Sequence, residues 1–275
     1  MLDLPFTDVA STYEFLAPNL RDRESTEEFE FPVEYMFKDV PKAATDDPVE
    51  HTLALMDHHG IDRAMIGAGS DNQRRALREH PDRFLASIGV DANDGMEALR
   101  QIDRAAETTG LAGVALFPSG CNPPVPINDK RWYPVYAKCV ELDLPVFMCV
   151  GVPGPRVPMA AQKVELLDEV CWFFPELRIV MRHGAEPWEE LAVKLMLKWP
   201  NLYYSTSPFA PKYYPQAIVD YANTRGADKV MYAGYFPMGL TLDRIFGELP
   251  EVPLKDEVWP KFLRHNAARV LGLDD

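Results

Sequence analysis

Short apolar runs rich in β-branched or aromatic residues recur along the chain, with amphipathic stretches between them. Eight such runs stand near residues 1–6, 63–67, 84–90, 112–117, 145–150, 177–183, 201–206 and 229–235. Strands alternating with helices imply parallel pairing, and eight of them predict an α/β fold of the (β/α)8 TIM-barrel type. The helical stretches carry their own start and stop signals. "DPVEHTLALMDHHG" opens on an acidic cap and closes at Gly60, and "KRWYPVYAKCVELD" precedes the fifth run. "EPWEELAVKLMLKW" has Pro187 in its first turn, and Glu186, Glu189 and Glu190 at its positive end. Trp188, Leu191, Ala192, Leu195 and Trp199 share one face of that helix.

Residues 8–46 break the rhythm. They are highly charged ("RDRESTEEFEF") and form a long insertion between the first run and the first helix. In a barrel this insertion lies at the catalytic rim, either as a lid or as a solvated loop.

Composition narrows the class. With 275 residues, 47% hydrophobic and 25% charged, the chain reads as a globular single domain over 1–275. Apolar runs such as "PVFMCVGVPGP" are broken by Pro and Gly well short of the ~20 residues a membrane span needs, so no membrane association is expected. The N-terminal "MLDLPFTDVAST" lacks a basic stretch and a long apolar core, and the four cysteines lack CxxC spacing. Both features predict a cytoplasmic, reduced protein. A net charge of −14 disfavours nucleic acid as a partner. A small anionic substrate is accommodated only where basic side chains such as Arg156 or Lys212 reverse the field locally. "GAGSDN" at 67–72 lacks the spacing of a phosphate-binding fingerprint, so no nucleotide is implied.

The chemistry concentrates at "IVMRHGAEPW", residues 179–188. Alternation along "RIVMRH" sends Ile179, Met181 and His183 to one face, and Val180 and Arg182 to the other. A lumen-facing His183 at a strand end predicts a catalytic acid/base, since an imidazole near pKa ~6.5 moves protons at neutral pH without a metal. The competing reading is a histidine hydrogen-bonded for structure. Tyr235 is either an oxyanion-stabilising donor or a packed phenol. Cys149 is either a nucleophile served by His183 or an inert buried thiol. Thr7 and Ser205 are candidate polar contacts, and Phe117, Phe147, Trp188, Phe209 and Phe236 are candidates for an apolar wall around a planar ring; each also fits an ordinary core. His51, His58, His59, His80 and His265 read as surface or packing residues.

"HGAEPW" together with "DPVEHTLALMDHHGIDRAMI", "HPDRFLASIGVD", "LAGVALFP", "LPVFMCVG", "YFPMG" and "FLRHNAARVLGL", in that order, resembles the amidohydrolase-related family. That branch includes aminocarboxymuconate-semialdehyde and resorcylate decarboxylases. The resemblance implies a barrel, homodimers, and one divalent metal held by a His-x-His pair, a further histidine and an aspartate. Here Pro5 and Thr7 stand in place of the pair, Cys149 in place of the histidine, and Tyr235 in place of the aspartate. Ala115 occupies the position where some relatives carry a bridging lysine, and His183 alone keeps its residue. No metal and no cofactor are therefore expected. Three functions stay open: a metal-independent hydrolase or decarboxylase of a small cyclic or carboxylated compound using His183 as acid/base, a non-catalytic ligand-binding or partner subunit, and an enzyme with a rerouted metal.

Overall fold

The computed structural model describes residues 13–27, 32–37, 40 and 45–273. Within these, seven strands form one parallel sheet in sequence order. They are β1 (Ala64–Gly67), β2 (Phe84–Gly89), β3 (Leu111–Leu116), β4 (Val146–Cys149), β5 (Ile179–Arg182), β6 (Leu202–Ser205) and β7 (Val230–Met231). They coincide with the second to eighth apolar runs. The first run, at 1–6, lies outside the described residues.

Helix α1 (Pro48–His58) precedes β1. The connections between strands then carry α2 (Asp71–Glu79), α3 (Met96–Thr109), α4 (Tyr133–Glu141), α5 (Leu167–Phe173), α6 (Glu189–Lys198) and α7 (Gln216–Ala222), and α8 (Leu242–Glu248) and α9 (Asn266–Leu271) follow β7. Local chemistry fixes their ends. The Asp47 carboxylate accepts from the backbone N–H groups of Val49 and Glu50 to start α1, and Ser70 and Gln73 form a reciprocal capping box on α2. Gly110, in the left-handed region, ends α3. Helix α6 begins at Glu189 with Trp188 at its N-cap, so Pro187 stands ahead of the first turn rather than in it. Its buried face matches the sequence pattern: Ala192 and Leu195 lie in the core, with Trp188, Leu191 and Trp199 packed against it.

The two faces of the sheet bury different sets. Ile66, Val114, Leu116, Val146, Met148, Ile179, Met181, Leu202 and Tyr204 point outward into the large core shared with the helices. Met65, Phe147, Val180, Tyr203 and Met231 point the other way and gather into a second cluster with Val270. Met65 belongs to β1 and Met231 to β7, the two edges of the described sheet. They share a cluster because the sheet curls around it. Strands covered on both faces read as continuous apolar runs rather than alternating ones, which is how these runs stood out.

The described parts of the insertion pack on the loops that follow strand C-termini. Asn19 Nδ2 donates to the carbonyls of Gly120 and Cys121 at 3.2 and 2.9 Å, beyond β3. Beyond β4, Arg156 bonds Asp22 and Glu24 at 2.7 and 2.9 Å, and the Tyr35 hydroxyl donates to Gly154 O at 2.6 Å. Beyond β7, the Tyr13 hydroxyl donates to Met238 Sδ at 2.8 Å.

Candidate active site

β5 ends at Arg182, and the chain leaves the extended conformation at once: His183, Gly184 and Ala185 have φ of 67°, 98° and 61°. Two consecutive non-glycine side chains flanking a glycine in this region carry strain of about 1–2 kcal/mol each, and neighbouring contacts hold them there. The Tyr204 hydroxyl donates to Gly184 O at 3.0 Å, Val152 N–H to Glu186 O at 2.8 Å, and Trp188 N–H to Ala185 O at 2.7 Å. The turn swings the His183 ring over the end of β4, with Nδ1 3.5 Å from Cys149 Sγ. The same ring meets Tyr235 edge-on, at 5.7 Å between centroids and 88° between planes. Phe37, from the insertion, stacks on the other side of Tyr235 at 5.4 Å and 20°.

The parity expected for β5 is corrected by the structure. Val180 lies in the inner cluster, whereas Ile179 and Met181 belong to the outer core, so Arg182 and not Met181 shares the inner face. Register agrees: Val180 pairs with Phe147 and Arg182 with Cys149, and both β4 partners are on the inner side. His183 reaches the mouth through its left-handed turn, not through strand alternation. Arg182 is thus a site residue that the sequence reading turned away from the site. The signal that could have found it is charge in a doubly buried strand. The outer face is covered by apolar helix surface, so the polar mouth of the barrel is where a guanidinium in "RIVMRH" can go.

Arg182 sets the electrostatics. Burial, reinforced by the Arg182 positive charge, pushes the His183 imidazole well below its ordinary value, so it is neutral at pH 7. Burial pushes the Cys149 thiol up, outweighing the opposite pull of Arg182 and its hydrogen bond to the sulfur. Burial likewise lifts the Tyr235 phenol to about 12, against Arg182 and with a small push from Cys149. At neutral pH the mouth therefore combines a neutral imidazole, a protonated thiol, a protonated phenol and a fixed cation.

That combination does not fit a divalent ion. Cys149, His183 and Tyr235 surround a guanidinium. A dication brought within ~4 Å of it meets a repulsion of about 8 kcal/mol at an effective dielectric of ~20. Among the described residues, the group whose nitrogen and oxygen ligand atoms converge within 4.8 Å is His58, His59 and Asp243, at the end of α1 and the start of α8. There His59 Nε2 lies 2.9 Å from Asp243 Oδ1, and the ring stacks on Phe246 at 4.8 Å.

The other sequence candidates divide. A cavity of about 410 Å³ is lined by Arg182, Ser205, Ser207 and Phe236, with Phe147 and Met231 deeper in the barrel. Ser205 closes β6 and donates its hydroxyl to Met181 O at 3.2 Å, so its proton is already engaged. Phe117, at the end of β3, meets Phe15 edge-on at 6.5 Å and lies against Gly120. Trp188 packs into the outer core at the entry to α6; the expectation that it bounds the pocket is corrected, because the turn after His183 carries it out of the mouth. Thr7 lies outside the described residues.

Comparison with known proteins follows the same lines. A family model described as Amidohydrolase matches residues 15–273. A 2-keto-4-carboxy-3-hexenedioate hydratase of a Sphingobium species is 27% identical over 106 residues, 34% of this chain and 31% of its own. The match thus spans about a third of that relative's length. An uncharacterized TIM-barrel protein of Bordetella bronchiseptica superposes with a TM-score of 0.76 at 23% identity, covering 98% of this chain and 96% of its own. A 5-carboxyvanillate decarboxylase of Novosphingobium aromaticivorans, complexed with manganese and 4-hydroxy-3-methoxy-5-nitrobenzoic acid, gives 0.69 at 17%, covering 99% and 94%. The fold is that of an α/β TIM barrel. No described helix is long and apolar enough to cross a membrane.

Proposed function

Because the chain belongs to the amidohydrolase family, we propose that it is a hydrolase or decarboxylase acting on a small carboxylated aromatic or cyclic compound, with His183 moving the proton and without a divalent metal. The observation that carries this reading is the His183 ring, held neutral at the barrel mouth between Cys149 and Tyr235. A neutral imidazole accepts a proton from an attacking water or a substrate hydroxyl. It then returns that proton to the leaving oxygen, or to the ring carbon that carbon dioxide vacates. Tyr235, protonated up to about 12, donates a hydrogen bond to the oxygen that gains charge. The buried thiol of Cys149 lacks thiolate character and serves as a polar wall rather than as a nucleophile. The substrate class is supported by the carboxylated compounds in the names of the hydratase and decarboxylase above.

We assign residues 1–6 to an eighth strand between β1 and β7, which makes the chain a single closed barrel domain with Thr7 at its mouth. Seven parallel strands in sequence order and the shared cluster of Met65 and Met231 support this. Residues 8–46 are then a lid-like insertion, in keeping with the Phe37 stack on Tyr235. The homodimer implied by the resemblance would cover Trp172 and Phe173 of α5, which are 66% and 51% exposed; light scattering tests it.

The deciding experiment is His183→Asn. After a screen of carboxylated rings, esters and lactones has given a reaction, the variant should keep its fold and lose about 10²- to 10⁴-fold in turnover. Turnover that survives the change places the chemistry elsewhere.

A further inference from the structure

Resting on that reading of the mouth as a substrate site, we infer that Arg182 is its anion-holding group and that the ligand it holds is a carboxylate on a planar ring. Three observations converge. The first is geometric: Arg182 pairs in register with Cys149 one step above the inward-facing Val180–Phe147 pair, so its side chain enters the barrel at the mouth and lines the cavity there. The second is electrical: Arg182 acts on Cys149, His183 and Tyr235 at once, and all three stay neutral at pH 7, so none of them offsets its charge. The third is chemical. A guanidinium has five donors in a planar fork that matches a carboxylate bidentately, more than one thiol can use.

The surroundings select what accompanies the carboxylate. Phe236 lines the same cavity beside Ser205 and Ser207, Phe147 forms its deeper wall, and the Tyr235 edge lies against His183. Flat apolar walls with a fixed cation at one end suit an aromatic acid rather than a branched sugar or a phosphate ester. Arg182 would orient such a ring with the rest of it beside the His183 imidazole. A guanidinium does not titrate in the physiological range, so the grip is constant across pH. Arg182 is also the group whose charge the structure sets against a metal, so one residue accounts both for the cation that the site keeps and for the one it does not fit.

The test compares benzoate with benzamide, which share a shape but differ in charge, by calorimetric titration of the whole protein at millimolar ligand and pH 7. Wild-type protein should bind benzoate at least tenfold more tightly than benzamide, with the benzoate affinity unchanged at pH 9. Arg182→Gln should abolish the discrimination. Arg182→Lys, which keeps the charge and guards against a folding defect in the glutamine variant, should retain part of it. Equal discrimination by wild type and Arg182→Gln would overturn the anchor and leave the His183 reading intact, because benzoate would still be bound. Equal affinity of wild-type protein for both ligands overturns the anchor without any variant. Binding of neither overturns the anchor together with the proposed substrate class, and the His183→Asn turnover measurement then stands as the separate test of proton transfer.

Discussion

Arg182 stands opposite Cys149 across the β4–β5 ladder and hydrogen-bonds its sulfur, yet the thiol stays protonated because burial outweighs the nearby charge. Proximity to a cation and a histidine is the usual signature of a reactive cysteine, and here desolvation reverses it. Cys139 and Cys171 are pushed up to about 12 by burial as well, Cys121 is pushed up further, and all four thiols are buried. Native protein at pH 7.5 should therefore show no fast-reacting thiol toward a disulfide reagent, and unfolding should release four. One thiol labelled at once in wild type but not in Cys149→Ser would restore the nucleophile.

His183 gives the protein an acid sensitivity of definite sign. Its imidazole titrates below its ordinary value when folded, so between the two values the unfolded chain binds a proton that the native state refuses. Stability is full above about pH 6.5 and falls as pH drops toward the folded value, by up to ~1.4 kcal/mol per pH unit from this group. The carboxylates of Asp22 and Asp129, held at about 2 chiefly by hydrogen bonds with Ser25 and Arg131 respectively, act in a lower window, so the effects separate. Urea unfolding at pH 7.5, 6.5 and 5.5 should show a steeper loss for wild type than for His183→Asn. Parallel curves would mean that the ring is solvated when folded.

How much of this was legible before the structure depends on the kind of signal. Runs of buried residues mark strands whichever way they face, so the described strands from Ala64 to Met231 could be read directly from composition. Facing is a different matter. When both sides of a strand are apolar, alternation carries no label for inside and outside, and "RIVMRH" was assigned the wrong parity. His183 reached the mouth nevertheless, because a left-handed turn rotates it there, and a positive φ at histidine leaves no trace in the sequence. The approach of Phe37 to Tyr235 spans about 200 residues of chain, and no local pattern encodes it.

Arg156 ties the insertion to the loop after β4. Its guanidinium bonds Asp22 and Glu24 and lies 4.5 Å from the centre of the Tyr35 ring. These groups are partly or largely solvent-exposed, so the pairs contribute little to global stability; exposed ion pairs typically give about 0–1 kcal/mol. Arg156→Ala should shift the unfolding midpoint only slightly while making the chain between residues 13 and 37 markedly more sensitive to limited proteolysis. Unchanged cleavage would show that Asn19, Tyr35 and Phe37 hold the segment without it.

The sharpest structural prediction concerns Gly151, just beyond Cys149. Its φ is +91°, and a Cβ there would come within 2.8 Å of Ala185 C, Glu186 N and Glu186 O. These are backbone atoms of the turn that carries His183, and they cannot rotate away as a side chain could. Gly151 N–H also donates to Gln162 O at 2.9 Å, and Gln162 Nε2 returns a bond to Gly151 O at 2.9 Å, so the glycine is clamped from the other side. Gly151→Ala should therefore cost about 2–4 kcal/mol, the sum of a strained φ and an unrelieved contact, and should displace His183 relative to Cys149. Gly60 provides the control. Its φ is +67° but nothing lies within 4 Å of its added Cβ, so Gly60→Ala carries the strain alone, about 1 kcal/mol. Chemical denaturation of the two variants side by side separates the terms, and a Gly151→Ala loss no greater than that of Gly60→Ala would mean that the β4 and β5 loops do not touch as closely as 2.8 Å.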